Sequence, residues 1–365
     1  VSSSARLERL DALLLERELD ALLVTGAANL RYLTGYSGSN GLALATAAGE
    51  RLFLTDFRYA TQVETDVDDE FERQIGKADL IEDLGRWLER RAAAGPWRLG
   101  FEDDHMTVRR HASLREHVPE RVELVAAGGL VEELRIVKDV EELERIRAAA
   151  ALIDDVLDTL ARQGLAGRSE RAVAIDVENE MRRRGASGPS FATIVAAGPH
   201  GALPHATPRD VPIPPDTLVV VDLGAVLDGY CSDCTRTFAT GRLDDEQHDV
   251  YDLVLRAQEA GLAALAPGPT GREVDAVARG VIAAGGYGER FGHGLGHGVG
   301  IEVHEAPRLS QVGGTQQLAP GHVVTVEPGI YLPDRFGVRI EDLVAVTDDG
   351  HEVLSHFGKE LLTVD

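Results

Sequence analysis

Cysteine is nearly missing from this 365-residue chain, which has only Cys231 and Cys234. That excludes a disulfide framework and is compatible with a reducing compartment. No run approaches the roughly 18 consecutive apolar residues that cross a bilayer as a helix, so a membrane protein of that kind is excluded. The opening Val1-Ser2-Ser3-Ser4-Ala5-Arg6 has no apolar core of a signal peptide and leads straight into charged amphipathic sequence. A cytoplasmic protein is therefore expected. Basic charge is also short, with 37 Lys and Arg against 61 Asp and Glu, a net charge of −24. Such a surface repels nucleic acid, whose binding needs clustered Lys and Arg. Acidity of this size serves solubility, and part of it can serve divalent cations. Tandem repeats and low-complexity tracts are absent.

What is present is ordinary globular sequence, 44% hydrophobic and 27% charged, long enough for about two domains. Leu7, Leu10, Leu13 and Leu14 recur at helical spacing over residues 5–17. Residues 21–24, 42–45 and 51–55 read as strands, with a turn at 47–50. A helix over 81–94 stops at Gly95-Pro96, and 98–101 returns as strand. This alternation predicts an α/β domain over 1–130. The pattern breaks at Ala126-Ala127-Gly128-Gly129. A long helix is expected over 139–162, and a second from the N-cap Ser169 to Arg184. Helices near 244–266 and 271–284 interrupt an otherwise strand-and-loop second domain, expected over 138–365.

Two segments place acids where acids are unfavourable. In LVVVDLGAVLDGYCSDCTRTFAT, residues 218–240, Asp228-Gly229 is the preferred dipeptide of a two-residue hairpin turn. That turn pairs Leu227 with Tyr230 and, by the same count, Asp222 with Thr235. Asp233 then shares a face with Asp222, their Cβ atoms roughly 7 Å apart. An Asp in a strand can simply face water, but Asp222 follows Val219-Val220-Val221. A buried carboxylate must be paired or coordinated, and two together repel unless a cation lies between them. In VVTVEPGIYLPDRFGVRIEDLVAV, residues 323–346, Glu327 closes an apolar strand and Glu341 is expected inside a second strand over 338–346. Glu is depleted in strands. Asp342, on the opposite face from Glu341, reads as a structural or surface acid.

FGHGLGHGVGIEVHEAP, residues 291–307, carries His293, His297 and His304. The glycines at 292, 294, 296, 298 and 300 cost a helix about 1 kcal/mol each, so an extended segment is expected. A dinucleotide fingerprint is disfavoured, because no apolar strand leads into the glycines and no helix follows. His205 reads by itself as a loop residue. Oxygen and nitrogen donors without thiolate suit Mn²⁺, Co²⁺ or Zn²⁺. Cys231 and Cys234 form a CxxC string, but residues three apart on a strand face opposite ways, and a zinc or redox role would need other geometry.

The strings VVVDLGAVLDGYCSDCTRTF, FGHGLGHGVGIEVHE, VVTVEPGIY and GVRIEDLVAV, in that order, resemble the proline branch of the pita-bread metallopeptidases. LRIVKDVEELERIRAAA, from Leu134 to Ala150, resembles the entry to that catalytic domain. The resemblance implies a creatinase-like N-terminal α/β domain followed by a pita-bread catalytic domain. It implies two divalent ions, Mn²⁺ first, on Asp222, Asp233, His297, Glu327 and Glu341, with Asp233 and Glu341 bridging. It implies proton transfer by Glu327, substrate binding by His205, His293 and His304, and Arg339 near the site. The branch acts on proline-containing peptides, and a homodimer or larger homo-oligomer is expected from it. YLTGYSGSNG and LFLTDFRYATQ look more like Xaa-Pro aminopeptidase (aminopeptidase P) than Xaa-Pro dipeptidase (prolidase), so aminopeptidase is the main expectation and dipeptidase the alternative. Two rivals are a non-catalytic binding module, disfavoured because all five ligand positions are filled, and a hydrolase of small C–N substrates on the same fold.

Overall fold

The computed structural model describes residues 3–77, 79–91 and 96–364. The chain divides into two compact units between Arg135 and Ile136.

In the first unit the helix Ser3–Glu16 buries Leu7, Leu10 and Leu14, while Leu13 is half-buried. The short strand Ala21–Val24 is buried throughout because it sits in the middle of a six-stranded mixed sheet. A strand covered on both faces reads as a continuous apolar run. It pairs antiparallel with Gly41–Thr46, which pairs antiparallel with Arg51–Asp56, and parallel with Trp97–Phe101. Glu72–Gly76 and Val122–Ala126 form the two edges. The helix expected over 81–94 is Leu80–Arg91, its last expected residues lying outside the described ones.

Sequence reading passed over the helices Ala27–Thr34, Val108–His117 and Leu130–Arg135 and both edge strands. Val108–His117 buries only Leu114, so it carries no apolar period. Glu72–Gly76 is polar along most of its length, as an edge strand is.

In the second unit the helix Val140–Gln163 starts at a capping box of Asp139 and Glu142. Ser169 caps Glu170–Arg183 through the Ala172 N–H. This pair backs a sheet ordered Cys234–Ala239, Leu218–Leu223, Ile194–Ala197, through a core that includes Leu157, Val173, Met181, Val219, Val221 and Phe238. The helices Asp245–Ala263 and Gly271–Ala284 share a second core with Leu295 and with Val324, Val326 and Val344 of a five-stranded sheet. That sheet is ordered Glu305–Leu309, Gly296–Gly298, Val323–Val326, Asp342–Thr347, Gly350–Val353. A separate hairpin joins Gly329–Leu332 to Phe336–Arg339. Among the described residues no helix is long and apolar enough to cross a membrane.

Candidate metal centre

The hairpin keeps the expected register. Leu227 pairs with Tyr230 and Asp222 with Thr235, and the turn residues Asp228 and Gly229 both have positive φ, 49° and 82°. The ladder is not continuous, however. It breaks after Leu223 and resumes at Ala225, and Asp233 stands in the gap opposite Gly224. Ser190 and Ser232 plug the gap. Ser190 Oγ donates to the Ser232 carbonyl at 2.9 Å, and Ser232 Oγ accepts the Ala225 N–H at 3.1 Å. A Cβ on Gly224 would lie 2.0 Å from the Ser232 carbonyl oxygen and 2.1 Å from Ser190 Oγ, so no side chain fits there.

Glu341 also differs from expectation. It lies between the strands Phe336–Arg339 and Asp342–Thr347 rather than inside one. Its N–H donates to the Thr235 carbonyl at 3.1 Å, which draws it to the hairpin. Asp342 is wholly buried and structural, accepting bonds from Arg236, Gln258 and Lys359.

Asp222, Asp233 and Glu341 each place a carboxylate oxygen within 4.8 Å of the other two, all buried. Glu327 follows the strand Val323–Val326 directly, and His297 occupies the middle of Gly296–Gly298. His297 Nδ1 lies 3.1 Å from its neighbour's carbonyl, Gly298 O. A carbonyl only accepts, so Nδ1 carries the proton and Nε2 is turned to Glu327 Oε1 at 3.3 Å and Asp233 Oδ2 at 3.6 Å. That tautomer is the one a metal-binding histidine needs.

Four carboxylates here face the single guanidinium of Arg339. Its Nη2 donates to Asp222 Oδ2 at 2.7 Å, Nε to Thr235 Oγ1 at 3.0 Å, and Nη1 to Tyr331 Oη at 2.8 Å and Pro204 O at 3.1 Å. Thr235 in turn donates to Glu341 Oε2 at 2.8 Å. Two buried oxygens, Asp222 Oδ1 and Glu341 Oε1, have no hydrogen-bond partner. Burial, then the neighbouring carboxylates, push Asp233 and Glu341 well above the usual carboxylate range, and burial raises Asp222 despite Arg339. Burial acts to raise Glu327 too, but the hydrogen bond and charge of His297, with His293 and Arg339, bring it down to about 2. Uncompensated negative charge and orphaned oxygens in a buried cluster are what a cation removes. The donor set, all O and N, fits a divalent ion.

His293 is half-buried, and its Nε2 lies 2.9 Å from Tyr331 Oη. Tyr331 accepts from Arg339, so its own proton goes to His293, and burial keeps that imidazole below its usual pKa. His304 is exposed, its ring edge-on to His297 at 4.4 Å. His205 is exposed too, close enough for its charge to act on His293 and His304. The structure thus gathers the residues singled out in the sequence into one region.

Tyr331, Thr235 and Thr325 (which donates to Glu327 Oε1 at 3.2 Å) were missed. Only Thr235 had a signal, as the register partner of Asp222. The two cysteines pack into different cores, Cys231 beside Val299 and Leu343, Cys234 beside Val221 and Phe238.

Residues 144–348 match the model of metallopeptidase family M24, and residues 6–137 match the creatinase/prolidase N-terminal domain. The Xaa-Pro dipeptidase of Pyrococcus furiosus is 36% identical over 361 residues, 98% of this chain and 99% of that protein. The solved Xaa-Pro dipeptidase from Bacillus anthracis is similar across all of both chains, with TM-score 0.95 and 37% identity. The X-Pro aminopeptidase from Thermotoga maritima has TM-score 0.88 and 34% identity over 96% of this chain and 99% of its own. The two dipeptidase likenesses weigh toward the dipeptidase alternative, against the aminopeptidase main reading drawn from the N-terminal strings. With the domain match running from the long helix through both acid-bearing segments, the chain belongs to metallopeptidase family M24, in the pita-bread fold with a creatinase-like domain before it.

Proposed function

We propose that this metallopeptidase is an Xaa-Pro dipeptidase, and that Asp222, Asp233, His297, Glu327 and Glu341 hold its two divalent ions, Mn²⁺ first, with Co²⁺ or Zn²⁺ as alternatives. The observation that carries the metal assignment is the buried carboxylate cluster with two oxygens lacking any partner. The dipeptidase assignment rests on the likeness to the named dipeptidases.

When bound, such an ion pair supplies a water acidified toward neutrality and polarises the scissile carbonyl. The chain's own groups do the rest. Glu327, ionised and with Oε1 beside His297 Nε2, takes a proton and returns it to the leaving imino nitrogen. His304 and His205 donate N–H bonds to the carbonyl oxygen as it gains charge. Arg339 holds Asp222 and, through Thr235, Glu341 in place. The bond before proline has no N–H, so a peptidase for it must recognise the substrate by other atoms, and substrate binding by His293 is part of this reading. A cytoplasmic homodimer is part of this reading, and light scattering checks the assembly.

The test is parallel hydrolysis of an Xaa-Pro dipeptide and an Xaa-Pro-Xaa tripeptide with added Mn²⁺, read by mass spectrometry. Faster cleavage of the dipeptide is expected. Cleavage of the tripeptide alone turns the assignment to an aminopeptidase, which the Thermotoga likeness favours. Cleavage of neither, with metal bound, removes both.

A further inference from the structure

Glu170 opens a helix, where an acid is ordinarily solvated, yet it is 1% exposed. Its two carboxylate oxygens collect donors from both ends of one loop. Oε1 accepts the Ala197 N–H at 3.0 Å, and Oε2 accepts the Arg209 N–H at 3.0 Å. The Arg209 guanidinium closes over the carboxylate in a two-pronged pair, Nε to Oε2 at 3.1 Å and Nη2 to Oε1 at 3.0 Å. His200 Nδ1 lies 2.9 Å from Oε2, and against an ionised carboxylate it is the donor. Charge-assisted bonds of this kind are the strong ones.

The segment between these anchors, residues 198–208, opens with the 3-10 turn Gly198–Ala202 and continues as the loop that carries His205. It is pinned at two further points. A Cβ on Gly337 would stand 1.9 Å from the Gly201 carbonyl oxygen, so the loop lies directly on the strand that leads to Arg339. Arg339 Nη1 then takes the Pro204 carbonyl, one residue before His205. His205 itself is exposed, and among the described residues no hydrogen bond holds its ring. Its position comes from the backbone beneath it, and that backbone is fixed at its ends by Glu170.

We infer that Glu170 is a positioning residue for the peptidase site: its carboxylate ties Ala197 to Arg209 and so presents His205 to the substrate. This rests on the proposed role of His205. A free loop would have to order itself each time substrate binds, and holding it ready removes that cost.

Glu170→Gln keeps the shape, removes the charge and sets an amide N–H₂ among the loop's donors. Arg209→Met removes only the half-exposed guanidinium and is a second variant that folds readily. Hydrogen exchange over 197–209, steady-state kinetics on an Xaa-Pro dipeptide and Mn²⁺ titration calorimetry are measured on each. For Glu170→Gln, exchange of the loop amides rises, kcat/KM falls about tenfold or more with kcat falling alongside it, because His205 acts on the developing charge, and Mn²⁺ affinity is unchanged. Arg209→Met moves exchange and kcat/KM the same way by less. In a His205→Ala background, Glu170→Gln costs about twofold or less, because the residue it positions is gone. An equal loss in both backgrounds, unchanged exchange, or a loss traced to weaker Mn²⁺ binding overturns the inference. A wild type inactive on every Xaa-Pro peptide removes the functional reading instead, and the exchange data then decide the clamp by themselves.

Discussion

Replacing His322 by asparagine should remove much of the protein's sensitivity to mild acid. His322 is 2% exposed, just before the strand Val323–Val326. Its Nδ1 accepts the Ala319 N–H at 3.2 Å, and a ring nitrogen that accepts carries no proton. Burial, then the charge of Lys138, hold its pKa down to about 4, against 6.5 for a free imidazole. Between those values the unfolded chain binds a proton that the folded chain refuses. The stability from this group is therefore whole above pH ~6.5 and drains away as pH falls toward 4. The full difference is worth about 3 kcal/mol, and about 2 kcal/mol is gone by pH 5.

His322→Asn places an amide oxygen near Nδ1, which keeps the acceptor but does not titrate. At pH 7.5 the smaller side chain costs about 1–2 kcal/mol. Urea unfolding of metal-free protein, followed by circular dichroism between pH 7.5 and 5, gives the comparison. Tryptophan fluorescence is unsuitable, because Trp87 and Trp97 are the only tryptophans and both lie in the first unit. The variant's deficit should vanish or reverse by pH 5. Two curves that run parallel over this range would refute the reasoning.

Glu327→Ala should leave a folded protein whose turnover of an Xaa-Pro dipeptide is lower by several orders of magnitude, roughly 10²–10⁴ from lost proton transfer and more if metal is lost too. Asp233→Asn should abolish activity yet raise the melting temperature of chelator-treated protein by several degrees (~3–6 °C), since it removes one of the clashing buried carboxylates. No rise would mean that the cluster is not strained without cations. Asp342→Asn should cost roughly 3–5 kcal/mol in denaturant titration, because it leaves the Arg236 guanidinium buried against a neutral partner. A loss under about 1 kcal/mol would show that pair to be dispensable.

The site was legible where chemistry and local period agree. The Asp-Gly turn set the hairpin register, so Asp222 and Thr235 could be paired from the sequence alone. The acids stood out because apolar strands seldom carry them. Illegible were features set by contacts between distant segments. Glu341 falls in a gap between strands because its N–H is claimed by Thr235. Tyr331 takes its task from Arg339 and His293, neither beside it in sequence. Glu170 has no signal of its own in the sequence, since nothing in 169–184 reveals a loop folding back over it. In the first unit the polar edge strand and the helix Val108–His117 bury too little to show a period.

The break in the hairpin ladder has one more consequence. With the Ser232 carbonyl and the Ser190 hydroxyl already filling the space a methyl group would need at Gly224, even alanine there must drive the opposing chain outward. Asp233 rides on that chain. A position with no charge to offer is thereby intolerant of even the smallest side chain. A census of the residues this peptidase cannot spare would have to include one with no side chain at all.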